Sequence, residues 1–359
     1  MPTYTNKTLV FAAIPDALPV AGEHLVIEDR GPFDPATPPP PGGLTLSVLY
    51  TSFDPYQRGR MRPAHVKSYS PAFELGGPIT NDSVARVIKS DAEGFKEGDL
   101  IVAHLPTAEW AVLTAEQVKS QVRKIDVEKT PKELLSNLGL FLGPLGMPGL
   151  TAWSSLYEIG QPKKGETIFI SSAAGAVGQV VGQVAKKEGL RVIGSVGSDE
   201  KAKFVMEELG FDGVFNYKTE RTKDALKRLA PEGLDIYYDN VGGEQLEAAL
   251  NAMKPFGRIV ACGMISQYNL PESERSGPKN IFLMVTKRLT MRGFIVSDPG
   301  FGDKYAQDHQ TKLGQWLAEG SVKARLSITE GIDNAAEGLI GMLQGKNFGK
   351  AVLKIKNED

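Results

Sequence analysis

Apolar and polar positions alternate with period two through the first third of the chain. Leu44, Leu46, Val48 and Tyr50 are separated by smaller or polar residues after the turn-rich PATPPPPGG, which predicts a half-buried strand. SVARVIKS and DLIVAHL predict a further strand pair, with turns at Gly94 and Gly98 between them. Short strands with frequent turns predict a small barrel-like β domain. From about Gly165 the period changes, and strands alternate with amphipathic helices. The strands read as TIFISSA, LRVIGSV, GVFNY, LDIYYDN, RIVACG and LTMRGFIV, and the helices between them stop at Gly189, Gly210, Pro231 and Pro255. That alternation predicts an α/β fold with a doubly wound parallel sheet. After the helical DKYAQDHQTKLGQWLAEG, the tail GKNFGKAVLKIK returns to a strand pattern and is assigned to the first domain. The expected division is 1–131 with 320–359 for the β-rich domain and 132–319 for the α/β domain.

Composition narrows the class. A chain of 359 residues, at roughly 100 to 200 per domain, suits two domains with sizeable cores. Lys and Arg total 41 against 43 Asp and Glu, so no charge excess favours nucleic acid or an anionic membrane. The single cysteine, Cys262, excludes an internal disulfide and fits a reducing, cytoplasmic compartment. The apolar run LVFAAI near the start is closed by Pro15 and Asp16, so no secretory signal is expected. Leu134 to Tyr157 is free of charge and long enough to mimic a membrane span, yet its glycines and prolines would leave backbone groups unpaired in lipid, so it reads as buried loop and helix.

The strongest motif lies in TIFISSAAGAVGQVVGQVAKKEG. Ala173, Gly175 and Gly178 occupy the three small-residue positions of a dinucleotide fingerprint, and Ala176 and Val177 complete the turn. Small residues are needed there for a tight turn, for backbone N–H groups to approach a pyrophosphate, and for close packing of helix on sheet. Val177, Val180, Val181 and Val184 form one apolar helical face, with Gln179, Gln183, Lys186 and Lys187 elsewhere around the helix. An NAD-selective site places an acid about 20 residues further on. Here Val196 and Gly197 stand in its place, followed by Ser198 and Lys201, a hydroxyl and an ammonium suited to a 2′-phosphate; NADP is therefore the expected cofactor. Ser198 is equally suited to cap the following helix, and both roles are compatible.

Metal chemistry is not expected. His24, His65, His104 and His309 are scattered, and no motif pairs them with one another or with Cys262. Without a Lewis acid, charge developing on a substrate oxygen must be met by hydrogen-bond donors, which points to tyrosines. No Gly-x-Ser-x-Gly elbow or clustered carboxylate pair supports a hydrolase.

AAGAVGQVVGQVAKKEGLRVIGSVGSDEK, GFDGVFNYKT, YYDNVGGE, GRIVACGMISQYN, GKNFGK, DPYQRGRM, KSYSPAF and GMPGLTA together resemble the zinc-independent medium-chain dehydrogenases/reductases. Within that family the chain is most similar to the NADPH-dependent alkenal double-bond reductases, the group that includes prostaglandin reductase. Gly76, Gly77 and Pro78 stand where zinc-dependent relatives carry Gly-His-Glu. The resemblance implies a GroES-like substrate domain, a Rossmann nucleotide domain and an active site in the cleft between them. It implies that Lys201 and Tyr217, with Ser198 nearby, contact the 2′-phosphate. Asn240 would lie along the cofactor, Asn347 would reach the nicotinamide half, and Met147, Pro148 and Thr151 would line the nicotinamide pocket. Tyr268 would sit at the substrate oxygen and Tyr56 would shape the substrate pocket. Cys262, at a strand end beside the cofactor crevice, reads as packing against it, since no His or Cys adjoins it.

The expected reaction is hydride transfer from NADPH to the β-carbon of an α,β-unsaturated aldehyde or ketone, with Tyr268 or water as proton donor. Two other readings stay open on sequence: an NADPH quinone reductase of the same superfamily, and a nonenzymatic NADPH-binding protein. The small-molecule enal or enone is the expected partner, with a homodimer possible within the family; nucleic acid and membrane are not.

Overall fold

Each strand expected after Gly165 forms in the computed structural model, which describes residues 4–356, and all six join one parallel sheet. They are β1 (Thr167–Ile170), β2 (Arg191–Val196), β3 (Gly213–Asn216), β4 (Leu234–Asp239), β5 (Met253–Ala261) and β6 (Thr290–Gly293). Their order across the sheet is β3-β2-β1-β4-β5-β6, with every neighbouring pair parallel. This is the doubly wound Rossmann order, which reverses direction between β1 and β4. Four helices connect the strands: α1 (Gly178–Lys187), α2 (Asp199–Glu207), α3 (Thr222–Leu229) and α4 (Gly243–Ala252).

Both sheet faces are covered, which explains the near-continuous apolar runs. Ile168, Ile170, Val192, Ile236, Tyr238 and Val260 pack with Val180, Val181 and Val184 of α1 and Phe204 and Val205 of α2. Phe169, Ile193, Phe215, Tyr237 and Ile259 pack on the opposite side with α3 and α4. Burying each such side chain stabilises the fold by about 1.5–3 kcal/mol.

Gln179 and Gln183 depart from the simple amphipathic picture, because both are buried. Gln179 accepts from the Arg325 N–H at 2.9 Å and donates to the Arg325 carbonyl at 3.3 Å. Gln183 makes the same pair of bonds with Lys323, both at 2.8 Å. The amides are buried because they satisfy a backbone segment laid across the helix.

This unit comprises Gly143–Arg325 and Phe348–Lys350; the other comprises the chain up to Leu142, Leu326–Asn347 and the residues from Ala351 on. The segment 132–142, expected with the α/β domain, belongs to the β-rich unit. Its 3-10 turn Leu138–Leu142 is buried, and Gly139 approaches so closely that a Cβ there would lie 2.6 Å from Leu326 Cδ1. In the β-rich unit, Leu44–Ser52 pairs antiparallel with Thr80–Ser90, which pairs with Leu100–Pro106. Lys350–Lys354 and Trp110–Leu113 also pair with Leu44–Ser52. Every residue of Leu44–Ser52 is buried, and the expectation of a half-buried strand is corrected: its edges are paired, and the buried turn Leu138–Leu142 packs against it from outside the sheet. The apolar run near the start is a strand, Lys7–Phe11, paired with Leu25–Asp29. Among the described residues no helix is long and apolar enough to cross a membrane.

Gly182 in α1 shows how closely helix and neighbouring chain meet: a Cβ there would lie 2.0 Å from Phe211 Cζ. Alanine gains about 1 kcal/mol in helix propensity over glycine, but overpacking costs about 1–3 kcal/mol and occasionally more. Because the ring is buried and cannot swing clear, the clash dominates. Gly182→Ala is expected to lower unfolding stability by about 1–2 kcal/mol in urea titrations. Gly59→Ala, in open helical space, is expected to be neutral or slightly stabilising; an unchanged midpoint for Gly182→Ala would refute the packing argument.

Candidate active site

Ligands of a doubly wound sheet bind outside the carboxyl ends of its strands, at the point where strand order reverses. That point lies between β1 and β4, and the residues following the two strands are tied together there. Ser171 Oγ accepts from the Asn240 N–H at 2.9 Å, and Asn240 Nδ2 donates to the Ser171 carbonyl at 2.8 Å. Asn240 thus spends its amide N–H on holding the two strand ends.

The fingerprint turn runs from Ser172 to α1. Ser172 adopts a left-handed φ of 54°, and its carbonyl accepts from the Gly175 N–H at 2.9 Å. Ala173 N–H donates to the Ser195 carbonyl of β2 at 2.9 Å, seating the turn on the sheet. A Cβ on Gly178 would lie 2.3 Å from the Ser172 carbonyl oxygen, and one on Gly175 would lie 2.9 Å from Ser172 Oγ. No side chain caps α1 at Val177, so the leading N–H groups around Ala176, Val177 and Gly178 lack an intrahelical or capping acceptor. Uncapped donors, the positive end of the helix dipole and the absence of Cβ atoms fit a pyrophosphate. Gly175 also bridges to Gly349, which follows Asn347 by two residues.

At the end of β2, Ser198 caps α2, accepting from the Lys201 N–H at 3.3 Å. The cap and a ligand role remain compatible, because the hydroxyl proton is not used by that bond. A Cβ on Gly197 would stand 3.2 Å from the Tyr217 hydroxyl and 3.5 Å from Lys218 Cε. Gly197 therefore lets Tyr217 and Lys218 close over the loop, where an Asp or Glu side chain would push them away. Burial, followed by the nearby Lys218 ammonium, holds the Lys201 amine below its ordinary range. Two ammonium groups set against each other are electrostatically costly unless an anion joins them. Lys218 was not among the residues singled out from sequence, although it directly follows Tyr217; only the β3 turn brings it towards Lys201.

Beyond β5, Cys262 and Gly263 donate their N–H groups to the Asp239 carbonyl at 2.9 and 3.0 Å. The short helix Ile265–Tyr268 follows, and the Tyr268 hydroxyl accepts from the Met264 N–H at 3.1 Å. That bond uses a lone pair and leaves the phenol able to donate its proton. Burial, opposed by the Met264 bond, raises the Tyr268 pKa above its ordinary value of 10.0, so the phenol stays protonated near neutrality. Cys262 packs against Tyr238, and burial pushes its thiol up to about 12, which makes it a poor nucleophile.

Tyr56, in the β-rich unit, has the opposite hydrogen-bond polarity. Its hydroxyl donates to Asn81 Oδ1 at 2.7 Å. The Asn81 orientation follows from its Nδ2, which donates to the Ser52 carbonyl at 2.8 Å and to Asp54 Oδ2 at 3.0 Å. Tyr56 has therefore committed its proton, and burial, followed by Asp54, raises its pKa. Met147, Pro148 and Thr151 lie on the helix Met147–Ser155, with Thr151 Oγ1 3.4 Å from Met147 Sδ. That helix is tied to β4 by a 2.7 Å bond between Ser155 Oγ and the Tyr238 hydroxyl.

Each histidine with a recorded bond has a local partner: His24 Nδ1 accepts from the Val20 N–H, His104 meets Thr80 and Asp82, and His309 meets the Pro144 carbonyl. Among the described residues, no group of three or more His, Cys, Asp or Glu side chains could hold a metal ion.

Residues 176–311 match a family model described as zinc-binding dehydrogenase, and residues 30–121 match an N-terminal domain of oxidoreductase. The chain is 52% identical over 352 residues to the NADP-dependent oxidoreductase RED1 of Cochliobolus heterostrophus, covering 98% of each chain. It is 42% identical over 316 residues to a 2-alkenal reductase (NADP(+)-dependent) of Nicotiana tabacum, covering 88% of each. The crystal structure of CurA in complex with NADPH from Vibrio vulnificus is 33% identical and matches with a TM-score of 0.87 over 98% of this chain and 99% of that one. With the fingerprint, the strand order and nearly full-length identity in agreement, the chain belongs to the zinc-independent medium-chain dehydrogenase/reductase family.

Proposed function

We propose that this protein is an NADPH-dependent reductase of the carbon–carbon double bond in α,β-unsaturated aldehydes or ketones. The observation that carries the reading is the Tyr268 hydroxyl, which accepts a backbone N–H and so keeps its proton for a ligand. The identity to a 2-alkenal reductase supports the same substrate class.

Bound NADPH would supply the hydride for the β-carbon. The chain's own contribution is binding and proton management. The N–H groups leading into α1 hold the pyrophosphate, and Lys201, Lys218, Tyr217 and Ser198 hold the 2′-phosphate. Asn240, Cys262, Asn347, Met147, Pro148 and Thr151 complete the cofactor site. As electrons shift towards the substrate oxygen, Tyr268 donates a hydrogen bond to it and stabilises the enolate. Protonation at the α-carbon then comes from Tyr268 or water. Tyr56 shapes the substrate pocket as an acceptor, since its proton is committed to Asn81.

A second copy of the chain is the proposed protein partner. The edge strand β6 is largely exposed, and Ile281, Phe282 and Val285 nearby are 50%, 63% and 78% exposed. An edge of open backbone groups beside apolar side chains favours pairing with another chain.

With NADPH as donor, enals and enones are expected to be reduced faster than quinones, and NADH is expected to be a poor donor. Quinone turnover with negligible enal and enone turnover would overturn the substrate assignment. Tyr268→Phe is expected to lower kcat about 10²-fold or more, in the range of a lost oxyanion donor. The wild-type kcat should show no alkaline loss from this group below its ordinary pKa of 10.0, because burial raises it.

Lys201→Ala is expected to weaken NADPH binding about 10- to 100-fold, the value of a charge-assisted hydrogen bond of about 1.5–3 kcal/mol. Lys218→Ala should cost about 3- to 10-fold, being more exposed. NADH affinity should change little in either variant; equal losses for both cofactors, read by fluorescence titration, would reject the 2′-phosphate assignment. Val285→Glu is expected to convert a dimer to a monomer in light scattering, whereas a monomeric wild type would reject the partner assignment.

A further inference from the structure

The mechanism leaves a buried carboxyl unused at the end of β4. Asp239 has no solvent exposure, and one of its oxygens is densely bonded. Oδ1 accepts from the Tyr237 hydroxyl at 2.8 Å, the Val241 N–H at 3.0 Å, the Gly242 N–H at 2.8 Å and, at 3.5 Å, the Ser171 hydroxyl. Its other oxygen, Oδ2, has no partner within the protein. Burying a carboxyl so that half of it bonds nothing is costly, and a hydrophobic strand end would avoid the cost. The bonded half shows what it does: it folds the Asn240-Val241-Gly242 backbone back over the strand end.

That folded backbone carries the loop bearing Tyr268. The Asp239 carbonyl accepts from Cys262 and Gly263, the Asn240 carbonyl from Ile265 at 3.3 Å, and the Val241 carbonyl from Ser266 N–H at 3.2 Å. Ser266 Oγ adds a second bond to the Val241 carbonyl at 2.6 Å. Gly242 and Gly243 have φ of 70° and 54°, and a Cβ on either would stand about 3.0 Å from Met264 Cγ or Ser266 Oγ. The loop is therefore seated on the turn, and its Met264 N–H is the group that holds the Tyr268 hydroxyl.

We propose that Asp239 is a positioning residue for Tyr268: its Oδ1 fixes the 239–242 turn, the turn fixes the 262–266 backbone, and Met264 N–H aims the phenol. The inference rests on the reading of Tyr268 as the donor at the substrate oxygen. Asp239 itself touches no reacting atom. An unpartnered Oδ2 means that the acceptor geometry of Oδ1, rather than a second carboxylate bond, does the positioning.

The test is a double-mutant cycle with Tyr268→Phe, measuring kcat for an enal and NADPH affinity on each variant. Asp239→Asn keeps the Oδ1 acceptor and is expected to retain kcat within about threefold, whereas Asp239→Ala is expected to lose about tenfold or more in kcat, a larger factor than its loss of NADPH affinity. In the Tyr268→Phe background, Asp239→Ala should cost no more than about twofold, because the group it positions is already gone. An equal loss in both backgrounds, or Asp239→Asn as impaired as Asp239→Ala, would overturn the inference while leaving the Tyr268 assignment intact. Wild-type kcat in Tyr268→Phe alone would instead overturn the donor reading on which it rests. Should Asp239→Ala fail to fold, exposed Ser266→Ala carries the same cycle, with about a threefold loss expected in the wild-type background and none beside Tyr268→Phe; equal losses there too would reject the coupling.

Discussion

The carboxyl ends of β1 and β4 meet in a hydrogen-bonded junction on which the rest of the α/β site depends. Ser171 and Asn240 exchange two bonds across the point where strand order reverses, and Asp239 gathers four donors beside them, the Ser171 hydroxyl among them. The fingerprint turn departs from one side of this junction and the Asn240-Val241-Gly242 turn from the other. Both are irregular backbone, and irregular backbone in a buried place must find partners for its polar groups. The junction supplies them, so the two turns hold fixed positions relative to each other.

A second constraint is steric and acts by absence. Gly178 and Gly175 bring the α1 turn within contact of Ser172, and Gly197 lets Tyr217 and Lys218 approach the β2 loop. Each missing Cβ leaves room for backbone or cation to face a ligand. The two lysines repel one another, a destabilising arrangement that an anionic ligand would reverse. In the proposed site this electrostatic imbalance would favour an anionic ligand.

The two tyrosines show how hydrogen-bond direction separates roles that residue type cannot. Tyr268 accepts from a backbone N–H, which keeps its proton available. Tyr56 gives its proton to an asparagine whose own orientation is dictated by a carbonyl and a carboxylate. Both phenols are buried enough to stay neutral, so their difference lies in polarity of bonding and not in charge.

Much of this was legible in the chain before folding. The period-3.6 and period-2 patterns named all six parallel strands, and the small residues at 173, 175 and 178 marked the tight turn into α1 that is proposed to hold the cofactor, because both depend on local geometry. The missing acid at Val196-Gly197 was likewise a local fact. What required the tertiary structure was contact between residues distant in sequence. Lys218 acquires meaning only beside Lys201, Gln179 and Gln183 are buried only because 323–325 crosses them, and Leu44–Ser52 is buried on both faces only once later parts of the chain pack around it. Nothing in YYDNVGGE distinguished Asp239, since its donors and the loop they steady come together only when β4 and β5 lie side by side. Residue types set which chemistries were available; the direction of each hydrogen bond, which decides who donates and who accepts, was settled only by packing.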